Sequence, residues 1–200
     1  MTSWKQLFEH PRYTTTVEGI SIVVHNGVFT PDPKITHSST LLLRSLPERL
    51  TGSVLDMGCG TGIGGIFCLK NGATSITFVD ISKEATENTK ENLQLHHLKG
   101  KVLMSSLFED IEEQFDTILA NLPILEEAWI NLSASSVVEQ FLTDAHKYLK
   151  PGGKVYMTWA SFGDLEHLQD LIERTGYAYT VSSEEKLGIT WYVIALRLLP

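Results

Sequence analysis

The sequence predicts a doubly wound α/β fold, in which helices cover both faces of a mostly parallel β-sheet. From residue 53 onward, short apolar runs alternate with helical stretches, which is typical of parallel strands joined by helical crossovers. The last two apolar runs have no helical pattern between them, so we expect a C-terminal antiparallel hairpin. A glycine-rich stretch follows the first run, at the place where such sheets bind ligands.

Residues 1–50 differ in pattern from the rest and are expected to form an N-terminal cap on the core. "SWKQLFEH" predicts a short helix, and "TTVEGISIVVHN" has the β-branched residues of a strand or hairpin. The turn-rich stretch "GVFTPDPK" precedes hydroxyl residues that can cap a helix. The leucine run behind them predicts a helix from about His37 to Leu46.

Residues 51–200 are expected to form the core domain, in one compact unit with the cap, since about 100–200 residues usually share a core. The predicted strands are "SVLDM", "SITFVD", "KVLMS", "FDTILAN", "VYMTWAS", "YAYTVSS" and "ITWYVIALRL". The predicted helices are at about Ile63–Lys70, Lys83–Leu95, Ser135–Leu149 and Asp164–Thr175. "KPGGK" leads from the third of these helices into "VYMTWAS".

The composition is that of a globular protein, with 42% hydrophobic residues and a formal net charge of -8. This charge gives no global attraction for phosphate backbones, so we expect no broad basic nucleic-acid surface. Cys59 and Cys68 fit neither a disulfide scaffold nor a zinc knuckle, and the histidines form no metal-ligand pattern. The chain shows neither a signal-peptide pattern nor a long apolar run, so we expect a cytoplasmic location and no membrane partner.

A ligand loop is predicted in "VLDMGCGTG", where Asp56 ends a strand and Gly58, Gly60 and Gly62 follow on alternate positions. Glycines let the backbone turn sharply and approach a ligand, while the following helix offers free N–H groups. Gly60, Gly62 and Gly65 have the spacing of the dinucleotide fingerprint, which leaves an NAD-dependent oxidoreductase as an alternative. The preceding acid, however, favours a ligand that carries positive charge.

A second acid, Asp80, closes the strand "SITFVD", 22 residues beyond Gly58. An acid at this place can accept hydrogen bonds from both ribose hydroxyls of a nucleoside. The alternative is that Asp80 only caps the helix that begins near Lys83. Together with the glycine spacing, Asp80 indicates a nucleoside site.

These segments resemble the class I S-adenosylmethionine-dependent methyltransferases, from about residue 50 to the C-terminus. "VLDMGCGTG" is similar to their first motif, "FVDIS" to their second, and "HKYLKPGGKVYM" to their approach to the fifth strand. The resemblance implies the Rossmann-like methyltransferase fold, with S-adenosyl-L-methionine as cofactor and S-adenosyl-L-homocysteine as product. The cofactor-binding residues that it implies are Asp56, Gly58, Cys59, Gly60, Gly62, Asp80, Ile81, Ser106, Leu107 and Asn121.

At the adenine end, the resemblance places Ile81 beside the base. Relatives often carry Asp near the end of the third strand, where this chain has Ser105 or Ser106, and Glu109 lies further along. A serine implies a weaker contact with the adenine amino group, and therefore a modest cofactor affinity.

The stretch "NLPI" resembles the (Asn/Asp)-Pro-Pro-(aromatic) motif of methyltransferases that act on amide or exocyclic amino nitrogens. In those enzymes the Asn oxygen and the next backbone carbonyl hold the NH₂ group, which orients the nitrogen without a strong base. The implied catalytic residues are Asn121, Leu122 through its carbonyl, and Pro123, which fixes the turn. Ile124 replaces the aromatic, and Trp129 is a candidate for the missing ring; a plain loop after the strand is the alternative reading.

The cap segment "GVFTPDPKITHSSTLLLRSLP" is similar to the segment before the first motif in HemK-like glutamine and small-subunit rRNA guanine methyltransferases. This similarity implies that Phe29, Pro31 and Thr40 line the site. "LKNGATSITFVDIS" also resembles the ribosomal protein L11 methyltransferases. We therefore expect an N-methyltransferase whose acceptor is a protein, an RNA or a metabolite. The alternatives are a small-molecule O- or N-methyltransferase that does not use Asn121 and a non-catalytic partner subunit.

Overall fold

The computed structural model describes residues 4–124 and 134–199 of the 200-residue chain. The strands are β1 (Tyr13–Val17), β2 (Ile20–Val24), β3 (Ser53–Met57), β4 (Ser75–Asp80), β5 (Lys101–Met104), β6 (Phe115–Ala120), β7 (Leu149–Ala160), β8 (Tyr177–Lys186) and β9 (Ile189–Leu198). The helices are α1 (Ser38–Ser45), α2 (Ile63–Lys70), α3 (Lys83–Leu95), α4 (Ala134–Ala145) and α5 (Leu165–Arg174). Short 3-10 turns occupy Trp4–Leu7 and His146–Tyr148.

The core is a seven-stranded sheet in the order β5-β4-β3-β6-β7-β9-β8. Strands β3 to β7 run parallel, and β9 runs antiparallel to both β7 and β8. The doubly wound fold and the C-terminal hairpin are thus confirmed. The chain winds outward from β3 to β5 and then returns to add β6 on the other side of β3. The carboxyl ends of β3 and β6 therefore lie side by side at the switch point, where such sheets bind ligands.

Two apolar layers cover the sheet, one on each face. The first joins the N-terminal cap, α1, α2 and α3 to the sheet, and the second joins α4 and α5 to it. Phe78 of β4 is fully buried in the first layer, and Phe141 of α4 is fully buried in the second. Within the described residues, no helix has the length and apolar character that crossing a bilayer requires.

The largest departure from the predicted elements lies at the start of β7. This strand begins at Leu149 and includes the residues of "KPGGK". The helix predicted for about Ser135–Leu149 is found as α4, which ends earlier, at Ala145. Leu149 pairs with Phe115, and the register then shifts before the ladder resumes. A Cβ on Gly153 would lie 2.9 Å from the carbonyl oxygen of Lys150, so the two glycines allow a bulge that a sequence pattern reads as a turn.

An ion pair joins the first residues of three strands next to this bulge. The ammonium of Lys150 lies 2.8 Å from Oδ2 of Asp116, and the same oxygen accepts the backbone N–H of Ser53 at 2.7 Å. The hydrogen bond from Lys150 is the main cause that lowers the pKa of Asp116 to about 2. These contacts align β3, β6 and β7 at the end of the sheet opposite the switch point.

The N-terminal cap is a hairpin attached to α3 by two buried asparagines. Asn92 accepts the backbone N–H of Val23 at 2.9 Å and donates to the Val23 carbonyl at 2.8 Å. Asn88 donates to the same carbonyl and accepts the N–H of His25, both at 2.9 Å. Asn92 also donates to the carbonyl of Thr61, 2.9 Å away. The edge of β2 is thus satisfied by side-chain amides, and the cap is tied to the loop after β3.

Replacing Asn92 by Ala should lower the free energy of unfolding by about 2–3 kcal/mol, because it leaves buried backbone groups of Val23 and Thr61 without partners. Urea unfolding followed by circular dichroism measures this change. Gln94→Ala truncates an exposed amide on the same helix and should change stability by less than about 0.5 kcal/mol. Equal stability of the two variants would contradict the role given to Asn92.

Candidate active site

A cavity of about 870 Å³ opens at the carboxyl ends of β3, β4 and β6. Its walls come from the loop after β3, the ends of β4, β5 and β6, the first turn of α1 and the N-terminal cap. Of the residues implied for the cofactor and the acceptor, all but one line this cavity: Asp56, Gly58, Cys59, Gly60, Asp80, Ile81, Ser106, Leu107, Asn121, Leu122 and Pro123. Gly62 is the exception and lies behind the loop.

The first part of the glycine loop runs beside β4 and packs against the residue after Asn121. The N–H groups of Gly58 and Cys59 both donate to the carbonyl of Val79, at 2.8 and 3.0 Å. Gly58 has a φ of +67°, and a Cβ there would lie 2.9 Å from Cδ2 of Leu122. A glycine is therefore required by both backbone conformation and space. The glycine loop and the "NLPI" stretch therefore pack directly against each other.

The glycines further along serve packing rather than ligand contact. Gly62 has a φ of +79° as the N-cap of α2, and a Cβ there would lie 3.0 Å from Thr89. A Cβ on Gly65 would lie 2.2 Å from the ring of Phe78. Within the dinucleotide-like spacing, Gly62 and Gly65 are thus explained by the close packing of α2 against β4 and α3, whereas Gly60 lines the cavity.

Asp56 lies at the floor of the cavity and is 5% exposed. Its Oδ2 accepts the backbone N–H of Gly65 at 2.7 Å, which ties the end of β3 to the first turn of α2. Burial raises the pKa of Asp56 to about 7, and the charge of Asp80 adds to this increase. The carboxyl group is therefore poised to ionise when a cation approaches.

Asp80 is held by two backbone N–H groups at the end of β4. Its Oδ2 accepts from Gly60 and its Oδ1 accepts from Ser82, both at 2.9 Å. Each oxygen keeps a second lone pair, so the carboxylate can still accept two hydroxyl donors. Burial raises the pKa of Asp80 above its usual value. The N-cap of α3 is Ser82, not Asp80, so the alternative reading of Asp80 as a helix cap is wrong.

Apolar side chains stand exposed beside Asp80. Ile81 is 59% exposed and Met104 is 61% exposed, and both line the cavity. Met104 pairs in register with Asp80 across β4 and β5, so the two strand ends meet there. Ser105 and Ser106 both line the cavity. Ser105 is buried and its Oγ accepts the backbone N–H of Asp110 at 3.2 Å, whereas Ser106 is more exposed. The sequence analysis gives Met104 no role, although its position at the end of the third core strand is a signal that could have placed it at the cavity.

Asn121 is held in one orientation by three hydroxyl groups. Its Oδ1 accepts from the hydroxyl of Thr158 at 2.6 Å, and its Nδ2 donates to Ser38 at 3.3 Å and to Ser39 at 3.2 Å. All three hydroxyl residues are buried. The amide oxygen keeps one further lone pair. Because its nitrogen end is anchored on α1, the amide presents its oxygen end to a donor.

The hydroxyl residues at the start of α1 do not cap the helix, although the sequence predicts that they do. His37 is the N-cap of α1 and makes no side-chain cap hydrogen bond. Ser38 and Ser39 instead contact Asn121. Sequence reasoning missed their role because nothing local links residues 38 and 39 to residue 121.

The rest of the cavity wall comes from several elements and is mixed, with many apolar side chains and the polar side chains of Asn26, Lys83, Glu84 and Gln140. Phe29 and Pro31 of the cap line it, as the similarity to related methyltransferases implies, but Thr40 does not. Thr40 faces the protein interior and is 3% exposed. Trp129, the candidate for the missing aromatic, lies outside the described residues. Over residues 4–124 and 134–199, no cluster of three or more His, Cys, Asp or Glu side chains could hold a metal ion.

The chain is similar in sequence to known methyltransferases. The family model of the methyltransferase small domain matches residues 19–190. A candidate protein N5-glutamine methyltransferase of Methanocaldococcus jannaschii is 29% identical over 184 residues, 86% of this chain and 91% of that protein. The ribosomal RNA small subunit methyltransferase C of Colwellia psychrerythraea is 33% identical over 154 residues, 76% of this chain. The match spans only 42% of that longer protein.

Two solved structures share the fold. A 16S rRNA N2 methyltransferase of T. thermophilus, in complex with AdoMet and guanosine, has a TM-score of 0.76 at 23% identity. The match covers 94% of this chain and 50% of that one. A ribosomal protein L11 methylase from Lactobacillus delbrueckii has a TM-score of 0.68 at 20% identity, with 91% and 97% of the two chains covered.

The raised pKa of Asp56 predicts how stability varies with pH. The folded protein keeps a proton on Asp56 that the unfolded chain loses near pH 4, so this group's contribution is full below about pH 4 and is lost as pH rises toward 7. Relative to wild type, Asp56→Asn should gain a few kcal/mol across this range, since one pKa unit corresponds to about 1.4 kcal/mol.

Urea unfolding of both proteins at about pH 4, 5.5 and 7 measures this difference. Asp80 is present in both proteins, so its own raised pKa cancels in the comparison to first order. A difference in stability that stays constant with pH would contradict the assigned burial of an ionisable Asp56.

Proposed function

Because this chain belongs to the methyltransferase small domain family and is an S-adenosylmethionine-dependent methyltransferase, we propose that it methylates an amino or amide nitrogen held by Asn121. The observation that carries this proposal is the fixed orientation of the Asn121 amide at the end of β6. That amide lies in the same cavity as the glycine loop and Asp80.

The cavity residues fit the parts of S-adenosylmethionine. The acids Asp56 and Asp80 suit a ligand with cationic groups, and Asp80 retains lone pairs for two ribose hydroxyls. Gly58 also lines the cavity, and its lack of a Cβ leaves the room that Leu122 fills. The exposed side chains of Ile81 and Met104 offer an apolar surface for adenine. We assign the adenine amino contact to Ser106 and Leu107, with Cys59 and Gly60 along the methionine part.

The orienting chemistry belongs to the "NLPI" stretch. S-adenosylmethionine supplies a methyl group on a good leaving group when it is bound. Asn121 Oδ1 and the carbonyl of Leu122 accept the two N–H bonds of the acceptor, and Pro123 stiffens the turn between them. The lone pair of the nitrogen then points out of that plane toward the cofactor side. Asn121 is not a base, so the proton that the nitrogen loses passes to solvent.

The relatives guide the choice of acceptor. Those named act on a protein glutamine or on ribosomal RNA, and Asn121 suits the NH₂ group of either. We therefore propose that the acceptor is a translation component and that the protein works in the cytoplasm. The net charge of -8 provides no broad electrostatic attraction for RNA, so an RNA acceptor would have to be recognised locally or with a partner subunit.

Replacing Asp80 by Asn should weaken binding of S-adenosylhomocysteine by about 10- to 100-fold, because hydrogen bonds to a charged acceptor are lost. Thermal melts across a concentration series of S-adenosylhomocysteine measure the affinity. Asp170→Asn changes an exposed acid on α5, away from the cavity, and should bind like wild type. Equal affinity of Asp80→Asn and wild type would remove Asp80 from the cofactor site.

Replacing Asn121 by Ala should lower the rate of methyl transfer by about 100-fold, because the acceptor nitrogen is no longer oriented. S-adenosylhomocysteine should still bind. The measurement uses S-adenosylmethionine with a radiolabelled methyl group and separate protein, RNA and small-molecule fractions of a cell extract. Asn71→Ala removes a half-buried amide at the end of α2 and serves as the matched control.

The Thr158→Val variant gives an intermediate test of the same claim. It removes the hydroxyl that donates to Asn121 Oδ1 but keeps the shape of the side chain. Loss of this one hydrogen bond should lower the rate of methyl transfer by Thr158→Val about 10-fold.

Full activity of Asn121→Ala on an acceptor that wild type methylates would refute the orienting role. It would favour a small-molecule methyltransferase that does not use this residue.

A further inference from the structure

An aromatic ring stands at the acceptor side of the cavity, on the turn after β7. Phe162 lines the cavity and is 48% exposed, which is unusual for a phenylalanine. Its ring and that of the buried Trp191 of β9 are nearly perpendicular, with ring centroids 6.1 Å apart and planes at 89°. The contact with Trp191 supports one part of the ring, and Phe162 as a whole still lines the cavity.

The turn that carries Phe162 is fixed by backbone hydrogen bonds. The N–H of Gly163 donates to the carbonyl of Ala160 at 2.9 Å, and the N–H of Ser161 donates to the carbonyl of Thr190 at 2.8 Å. Ser161 Oγ accepts the N–H of Thr190 at 3.2 Å in return. The turn is thus bound to β9, and the ring of Phe162 is presented from a rigid support.

The same turn packs directly on the stretch that holds the acceptor. A Cβ on Gly163 would lie 2.6 Å from Cγ2 of Ile124 and 2.8 Å from the indole of Trp159. Since β6 and β7 are neighbours in the sheet, the turn after β7 borders the turn after β6. The turn that carries Phe162 therefore lies beside position 124, where related methyltransferases carry an aromatic and this chain has Ile.

We propose that Phe162 provides the ring face on which the acceptor stacks, and that this acceptor is a nucleobase with an exocyclic amino group. The inference rests on the proposed function, because Asn121 holds the NH₂ group of the stacked base. A half-exposed phenyl ring offers more flat area than a glutamine amide would cover, and a base ring would use it fully. Every base has a π-face, so such a platform is suited to bases in general.

The test uses 2-aminopurine riboside, a fluorescent nucleoside with an exocyclic amino group, whose emission falls when its ring stacks on an aromatic side chain. When protein saturated with S-adenosylhomocysteine is titrated into the riboside, the fluorescence should fall and reach a plateau, which gives the affinity. Phe162→Tyr should keep this quenching, and Phe162→Leu should weaken the affinity by about 10- to 100-fold. Melts with S-adenosylhomocysteine should give the same shift in all three proteins.

Two further arms identify the source of the base and separate this proposal from the proposed function. A short RNA with one 2-aminopurine that binds more tightly than the riboside indicates an RNA acceptor, and equal binding indicates a free nucleoside. Quenching does not need methyl transfer, so the difference between wild type and Phe162→Leu can be read whether or not Asn121→Ala loses activity. Absence of quenching in wild type, or equal affinity in Phe162→Leu, overturns the proposal. The proposal is also overturned if wild type and Phe162→Leu methylate a glutamine peptide at the same rate.

Discussion

The contact between Gly58 and Leu122 is the constraint on which the site depends. Because Gly58 has no Cβ, the side chain of Leu122 fills the space against the first turn of the glycine loop. This contact brings the carboxyl ends of β3 and β6 together with their loops, so the cofactor loop and Asn121 share one cavity. Leu122 stands where the (Asn/Asp)-Pro-Pro-(aromatic) motif has its first proline, and its side chain supplies the packing between the two loops.

The N-terminal cap forms part of the wall of the cavity. Asn92 binds both β2 of the cap and the carbonyl of Thr61 in the glycine loop, so the cap and the loop are fixed to each other. On the other side of the cavity, Ser38 and Ser39 anchor the nitrogen end of Asn121. The cap thus supports both the cofactor half and the acceptor half of the cavity.

The sequence predicted the core well because its signals are local. Strand periodicity, the glycine register and the acid at the end of β4 each lie within a few residues, and the structure places Asp56, Gly58 and Asp80 around one cavity. The bulge at the start of β7 was not predicted, since it depends on how Gly153 fits against Lys150 and Phe115. Residues that act through long-range contacts, such as Ser38 and Phe162, have no local signal at all. Gly62 differs from the first glycines of the motif, because it packs against Thr89 and does not line the cavity.

A crystal structure of the protein with S-adenosylhomocysteine would show where the sulfur atom lies relative to Asn121. We expect the ribose hydroxyls to bind Asp80, the adenine to lie between Ile81 and Met104, and the sulfur to lie next to Gly58 with open space between it and Asn121 Oδ1. A ligand bound away from Asp80 would contradict the assigned cofactor site. So would a sulfur atom separated from Asn121 by protein, because no acceptor held by that amide could then reach the methyl group.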